Sequence, residues 1–169
     1  AGKSTLLKCL SGVHRADAGT MRLSGKAYEP ASPRTAETAG LRTVHQELNL
    51  VPGFTAYENA YVGRAYPRHL GRVDWKAMRA RFAALRDRYR LDLDIDLPVG
   101  RLSVAKCQIV EILRALMDDA RVLILDEPTA SLSEEEATVL RRIVRDLADQ
   151  GCAIIFVSPR LDEVFALAD

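Results

Sequence analysis

The sequence predicts an α/β fold built on a parallel sheet, and three observations carry that prediction. Two short apolar runs, Val122–Leu125 and Ala153–Val157, read as strands buried on both faces. Between them, Glu134–Leu147 places Val139, Leu140, Ile143, Val144 and Leu147 at helical spacing, which makes a parallel strand–helix–strand unit. At the other end of the chain, Gly2-Lys3-Ser4-Thr5 stands directly ahead of a helical stretch carrying Leu6, Leu7 and Leu10. The free backbone N–H groups at such a helix start favour a phosphate.

Bulk properties narrow the class. The 169 residues suit one domain, or a core with a small insert. Hydrophobic residues make up 48% and charged residues 28%, which excludes a disordered or collagen-like chain. Lys plus Arg is 24 against 23 Asp plus Glu, a net charge of +1, so nothing global points to nucleic acid. No apolar run approaches the roughly 20 residues that span a bilayer. The three cysteines, Cys9, Cys107 and Cys152, have no metal-ligand spacing and read as reduced thiols.

The elements follow in order. Ser4–Leu10 is a helix stopped by Gly12, and Met21–Leu23 and Lys26–Tyr28 are short strands around Ser24-Gly25. Leu41–His45 alternates as a strand ending near Gln46. Asn49–Gly53 is a loop, and Thr55–Val62 a short helix. Arg64–Arg90 is expected as an amphipathic helix, with Trp75, Met78, Phe82, Leu85 and Tyr89 inward. It holds nine basic residues and only two acids, Asp74 and Asp87. Its outer face is either simply solvated or a surface for an acidic partner or lipid headgroups. Leu91–Val99 alternates Asp92, Asp94 and Asp96 with Leu93, Ile95 and Leu97. It lacks the Gly and distal Glu of a calcium loop and reads as a polar loop with apolar plugs. Ser103 suits the cap of a helix to Met117 whose inner side carries Val104, Cys107, Ile109 or Val110, Leu113 and Leu116. Ser158-Pro159 opens a last helix, Arg160–Leu167, with Pro at its first position.

Three segments carry chemistry. Gly2-Lys3-Ser4 matches the last three positions of the phosphate-binding loop G-x-x-x-x-G-K-[ST]. The chain is therefore expected to begin inside that motif, and Asp169 ends it without a Gly or Pro stop, so both ends read as cut. In this pattern Lys3 reaches the β and γ phosphates and the Ser4 hydroxyl binds Mg²⁺. The second segment is the apolar strand ending in Asp126-Glu127, which puts two carboxylates at the sheet edge where ligands bind in open α/β folds. Asp126 suits Mg²⁺ and Glu127 a general base, while an N-cap acid after a buried strand is the plainer alternative. The third is Leu102-Ser103-Val104-Ala105-Lys106-Cys107-Gln108, shortly before that strand.

Taken in order, the phosphate loop, Gln46, Leu102-Ser103, Asp126-Glu127-Pro128-Thr129 and the closing loop resemble the ABC ATPases along the whole chain, with the third segment similar to their signature motif. Val44-His45-Gln46-Glu47-Leu48-Asn49-Leu50-Val51-Pro52, Leu102-Ser103-Val104 and Ser158 to Phe165 resemble the glutamine loop, signature and switch region of monosaccharide importers. The closest wording is the first nucleotide-binding half of tandem ATPases for ribose, xylose or galactoside uptake. The resemblance implies a P-loop NTPase (RecA-like) core with a helical subdomain over about residues 55–118, residues 1–169 forming a partial nucleotide-binding domain. It implies ATP and Mg²⁺ as ligands. Gly2, Lys3, Ser4 and Thr5 hold phosphates; Ser4, Gln46 and Asp126 serve the metal; Glu127 and Gln46 serve the lytic water. Ser103 and Ala105 close on the γ-phosphate of the opposite half, and Ala130-Ser131-Leu132-Ser133 couples the two sites. The implied partners are permease subunits, a second ATPase half and, indirectly, a sugar-binding protein, at the cytoplasmic face of the inner membrane. The resemblance also implies an adenine-stacking aromatic ahead of the phosphate loop, expected upstream of Ala1.

The chain departs from the family's pattern in three places. Ala105 stands at the second signature Gly, and Lys106 and Cys107 stand where this branch has Gln-Gln. Ser158-Pro159-Arg160 replaces the S-H-R that carries the switch His. Pro has neither a side-chain donor nor an N–H. The expected consequence is a half-site that binds ATP but turns it over slowly. A soluble ABC ATPase of DNA repair or translation is a further alternative, opposed by the near-zero net charge.

Overall fold

Helix α1 (Lys3–Leu10) starts behind Gly2, which sits in the left-handed region at φ 95° and offers no side-chain cap. These coordinates come from a computed structural model, which describes residues 2–45 and 47–167. Gly12 ends α1 at φ 72°, where a Cβ would meet the Ser32 carbonyl oxygen at 2.6 Å. Strands β1 (Arg22–Leu23) and β2 (Lys26–Ala27) form a hairpin through Ser24-Gly25, as the sequence indicates. Helix α2 (Pro33–Thr38), capped by Ser32, leads to strand β3 (Leu41–Val44).

Beyond the loop 47–55, helix α3 (Ala56–Ala60) begins with a capping box in which the Thr55 and Glu58 side chains each serve the other's backbone N–H. The single helix expected over Arg64–Arg90 does not form. Strands β4 (Arg68–His69) and β5 (Arg72–Val73) make a hairpin, and helix α4 covers only Trp75–Arg88. Two local signals break the pattern. Leu70 and Gly71 both take positive φ, 48° and 79°, the two-residue turn that matches strand twist. The Asp74 carboxylate then accepts the Ala77 N–H at 2.9 Å and starts α4 afresh. Trp75, expected inward, is exposed, whereas Met78 and Phe82 are fully buried.

Leu93 and Ile95 plug the core as expected, joined by Leu91, whereas Leu97 is only half-buried. A 3-10 turn at Val99–Arg101 precedes helix α5 (Val104–Ala115), whose cap is Ser103. Val104 is exposed, not inward, because it occupies the first helical position beside the cap. Strand β6 (Val122–Asp126), helix α6 (Glu134–Asp149) and strand β7 (Ala153–Val157) form the expected parallel unit. Helix α7 (Leu161–Leu167) starts two residues after Pro159, so this proline precedes the helix instead of opening it.

The sheet order is β3-β6-β7, all parallel, with Val44 beside Leu125 and Asp126 beside Val157. Alternation along the strands splits the core. Leu41, Val122 and Ile124 face α1, α2 and Tyr28. Val44, Leu123 and Leu125 face α3, α4, α5 and α6. β6 is central and buried on both faces, whereas β3 and β7, the edge strands among the described residues, are only partly buried.

Candidate functional site

The parallel register brings three chain segments to one sheet edge. β3 ends at Val44, β6 at Asp126 and β7 at Val157, so His45, Asp126-Glu127 and Ser158-Pro159 leave the sheet side by side. This C-terminal edge is where open α/β sheets bind ligands. Gln46 lies outside the described residues.

Helix α1 packs on the same sheet through Leu7. Its first intrahelical bond runs from the Leu6 N–H to the Gly2 carbonyl at 3.0 Å. The N–H groups of Lys3, Ser4 and Thr5 therefore have no acceptor inside the helix. These three residues are exposed and make no side-chain hydrogen bond among the described residues. The donor set fits a polyphosphate: free backbone N–H groups, one ammonium and two hydroxyls. Mg²⁺ also fits, since it takes one or two protein oxygens and completes its shell with phosphate and water. Ser4 and Asp126 offer such oxygens, and no cluster of three metal-ligating side chains occurs among the described residues.

Glu127 carries backbone strain. Its φ is 50°, a region sparsely used by residues with a Cβ. Its N–H donates to the Val157 carbonyl at 2.8 Å, and its own carbonyl accepts the Ala130 N–H at 3.2 Å. The peptide after β6 is thereby tied to the end of β7, and the carboxylate is turned out of the strand direction.

Two residues that sequence reasoning missed hold the neighbouring loops. The buried Glu163 carboxylate accepts the Thr129 hydroxyl at 2.7 Å and the Ser158 hydroxyl at 2.6 Å, both on Oε2. Its Oε1 lies 3.2 Å from Arg160 Nη1, an ion pair without hydrogen-bond alignment. Asn59, also buried, accepts the Val51 N–H and donates to the Val51, Phe54 and Thr55 carbonyls. A lone Glu on a helix and a lone Asn give no signal in a sequence; only their partners mark them.

The loop after Gln46 is fastened to α5. The Glu111 carboxylate accepts the Asn49 N–H at 2.8 Å, and Arg114 donates to the Asn49 carbonyl at 3.0 Å. Beside this clamp lies a groove of about 400 Å³ lined by Arg42, His45, Glu47, Val62, Glu111 and Arg114, among others. Asp126 and Glu127 do not line it, although His45, which leaves the same sheet edge, does. At the start of α5, the exposed Ser103 hydroxyl accepts the Lys106 N–H at 3.2 Å and Ala105 is buried. The Lys106 ammonium sits 3.2 Å from Asp92, so its charge is shared with the acidic loop below the helix.

The family model of the ABC transporter matches residues 1–130. The chain belongs to the ABC transporter family. Over 167 residues it is 48% identical to the ribose import ATP-binding protein RbsA 2 of Streptomyces avermitilis, covering 99% of this chain and 33% of that protein. RbsA 1 of Streptomyces coelicolor is 49% identical over 165 residues, again with 33% of its length covered. This ABC chain thus spans about a third of the curated relatives it matches. Among solved structures, the ADP conformation of an ATP-binding cassette of an ABC transporter superposes with a TM-score of 0.80 at 25% identity, covering 96% of this chain and 68% of that one. A nucleotide-free cassette superposes at 0.83 with 23% identity, which speaks to the fold. The ABC cassette core anticipated from the order of motifs is therefore the fold observed. No described helix of this ABC chain is long and apolar enough to cross a membrane.

Proposed function

We propose that this chain is the nucleotide-binding part of an ATPase that drives sugar import through a membrane permease. The observation that carries the proposal is the sheet edge. Asp126 and Glu127 leave β6 beside the end of β7, and α1 presents three unpaired N–H groups and Lys3 from the same sheet. Similarity along nearly the whole chain to proteins named ribose import ATP-binding proteins supports the sugar class.

In this reading Gly2 leaves its backbone open to the phosphates, while Lys3, Ser4 and Thr5 hold them. Ser4, Asp126 and Gln46 would hold Mg²⁺, which would supply positive charge to the phosphoryl oxygens. Glu127 orients a water for attack on the γ-phosphorus and takes its proton, and the bond to the ADP oxygen breaks. Gln46 helps to place that water. Ser103 and the Ala105 N–H close on the γ-phosphate bound by a second ATPase half, where a helix N-terminus favours negative charge. The groove beside the Glu111–Arg114 clamp suits a permease segment, since it joins the loop after Gln46 to α5. Such a subunit is peripheral, held at the cytoplasmic face of the inner membrane by its permease, with a sugar-binding protein acting indirectly.

A second reading is favoured by Pro159. It lies at the end of β7, next to the catalytic edge, and supplies no donor there. The site then gates by binding and turns over slowly. Mg²⁺-dependent ATP turnover of the full-length protein tests both readings. Glu127→Gln is expected to lower turnover by about a hundredfold or more, and Pro159→His to raise it about tenfold, near 1.4 kcal/mol of barrier. Equal rates with Pro and His at 159 remove the slow-site reading. Turnover indifferent to Glu127→Gln removes the catalytic assignment itself.

A further inference from the structure

The β4–β5 hairpin combines an exposed apolar tip with exposed aromatics and cations. Leu70 at its tip is 90% exposed, with Trp75 and Tyr66 also exposed at its base. An aromatic ladder fixes it to the core. The buried Tyr61 stacks on Tyr66 at 6.3 Å, and Tyr66 meets Trp75 at 6.5 Å. The tip is therefore held out by packing and is not a loose loop.

Charge on this element is equally selective. Further along α4 the cations are engaged: Arg79 with Asp96, Arg86 with Asp87, Arg81 with the Met117 carbonyl and Arg88 with Gln150. Arg68, Arg72 and Lys76 are exposed and have no ion-pair or side-chain hydrogen-bond partner among the described residues. The one acid nearby, Asp74, is committed to the cap of α4. An apolar tip, two aromatics with polar edges and three unneutralised cations are the composition that enters a headgroup layer.

We propose that the β4–β5 hairpin docks on an anionic lipid surface, with Leu70 reaching the acyl boundary and Arg68, Arg72 and Lys76 meeting lipid phosphates. The contact is independent of nucleotide, so it stands apart from the ATPase reading. It gives the chain a membrane contact of its own beside any permease contact.

Flotation of the purified full-length protein with vesicles tests it, using phosphatidylcholine alone or mixed with phosphatidylglycerol. The protein is expected to float only with the anionic vesicles, less so as salt rises. The triple variant Arg68→Ala/Arg72→Ala/Lys76→Ala should lose roughly a hundredfold in partitioning, on the order of the summed effect of three basic residues near such a surface. Leu70→Asn keeps the turn, since Asn-Gly is its preferred sequence, and should lose about tenfold through its lost apolar side chain. Unchanged melting temperatures separate these losses from unfolding. Absence of flotation with anionic vesicles overturns the proposal, as does flotation that the variants leave untouched. Variants that weaken capture of the purified permease but not flotation assign the hairpin to an acidic protein surface instead.

Discussion

At the residue scale, Glu163 decides how the loops after β6 and β7 meet. Its carboxylate is the shared acceptor of the Thr129 and Ser158 hydroxyls, one after β6 and one after β7. Removing a buried acceptor strands both donors, at about 1–3 kcal/mol. Glu163→Ala is expected to lower the melting temperature by several degrees, and Glu163→Gln, which keeps a carbonyl oxygen, by clearly less. Equal melting of both variants would mean that Glu163 acts through packing alone. The strained backbone at Glu127 has a related logic. The non-glycine φ of 50° at Glu127 is accompanied by an N–H bond to the Val157 carbonyl, which holds that conformation. The sequence shows Asp126-Glu127 as two acids in a row; it gives no hint that the second turns away from the strand.

At the element scale, caps and stops explain most boundaries. Helix α6 opens with a capping box in which the Ser133 hydroxyl accepts the Glu136 N–H at 3.3 Å and the Glu136 carboxylate accepts the Ser133 N–H at 2.9 Å. Three acids in its first turn add to the macrodipole. Ser133→Ala should cost about 1 kcal/mol, read as a shift in a urea melt. Gly12 ends α1 where the Ser32 carbonyl approaches, so Gly12→Ala meets both a 2.6 Å clash and an unfavourable φ. It is expected to destabilise by more than about 1 kcal/mol and to loosen α1 against α2, seen as faster amide exchange over α1. Helix existence was legible for α1, α3, α5 and α6, because capping residues and apolar periodicity are local. It was not legible for residues 64–74. There the periodic residues Trp75 to Tyr89 begin only after the turn, and Pro67, Gly71 and the Asp74 cap mark the break that the run of basic residues masks.

At the scale of the molecule, one carboxylate ties the sheet to the helical layer. Asp118 lies 2.9 Å from Arg64 and 3.6 Å from both Arg42 on β3 and Arg81 on α4. Burial pushes its pKa up, but the hydrogen bond from Arg64 and the charges of Arg64, Arg42 and Arg81 outweigh that and hold it below the ordinary carboxylate value. A group with a depressed folded pKa contributes stability above its unfolded pKa and loses it as pH falls through the folded value. The stability difference between the natural protein and Asp118→Asn should therefore be full at neutral pH and shrink below about pH 4, measured by urea melts across that range. Exposure of the carboxylate keeps the effect modest. The helical layer itself rests on Phe82 and Met78, both fully buried. Phe82→Ala should cost about 3–5 kcal/mol, with α4 losing amide protection before the sheet does.

The sequence by itself determined the parallel unit of β6, α6 and β7, the order of the phosphate, signature and acidic segments, and the family to which they belong. These are properties of short segments, set by apolar period, caps and motif spacing. Tertiary structure alone decided which strand is central, where Pro159 sits relative to α7, and that Lys106 answers to Asp92. It also decided that Glu163, Asn59, Glu111 and Arg114 hold the loops around the C-terminal edge of the sheet. Asn59 acts within its own loop, but the Glu111–Asn49, Arg114–Asn49 and Glu163–Thr129 bonds join residues far apart along the chain and exist only once the elements that carry them have packed together.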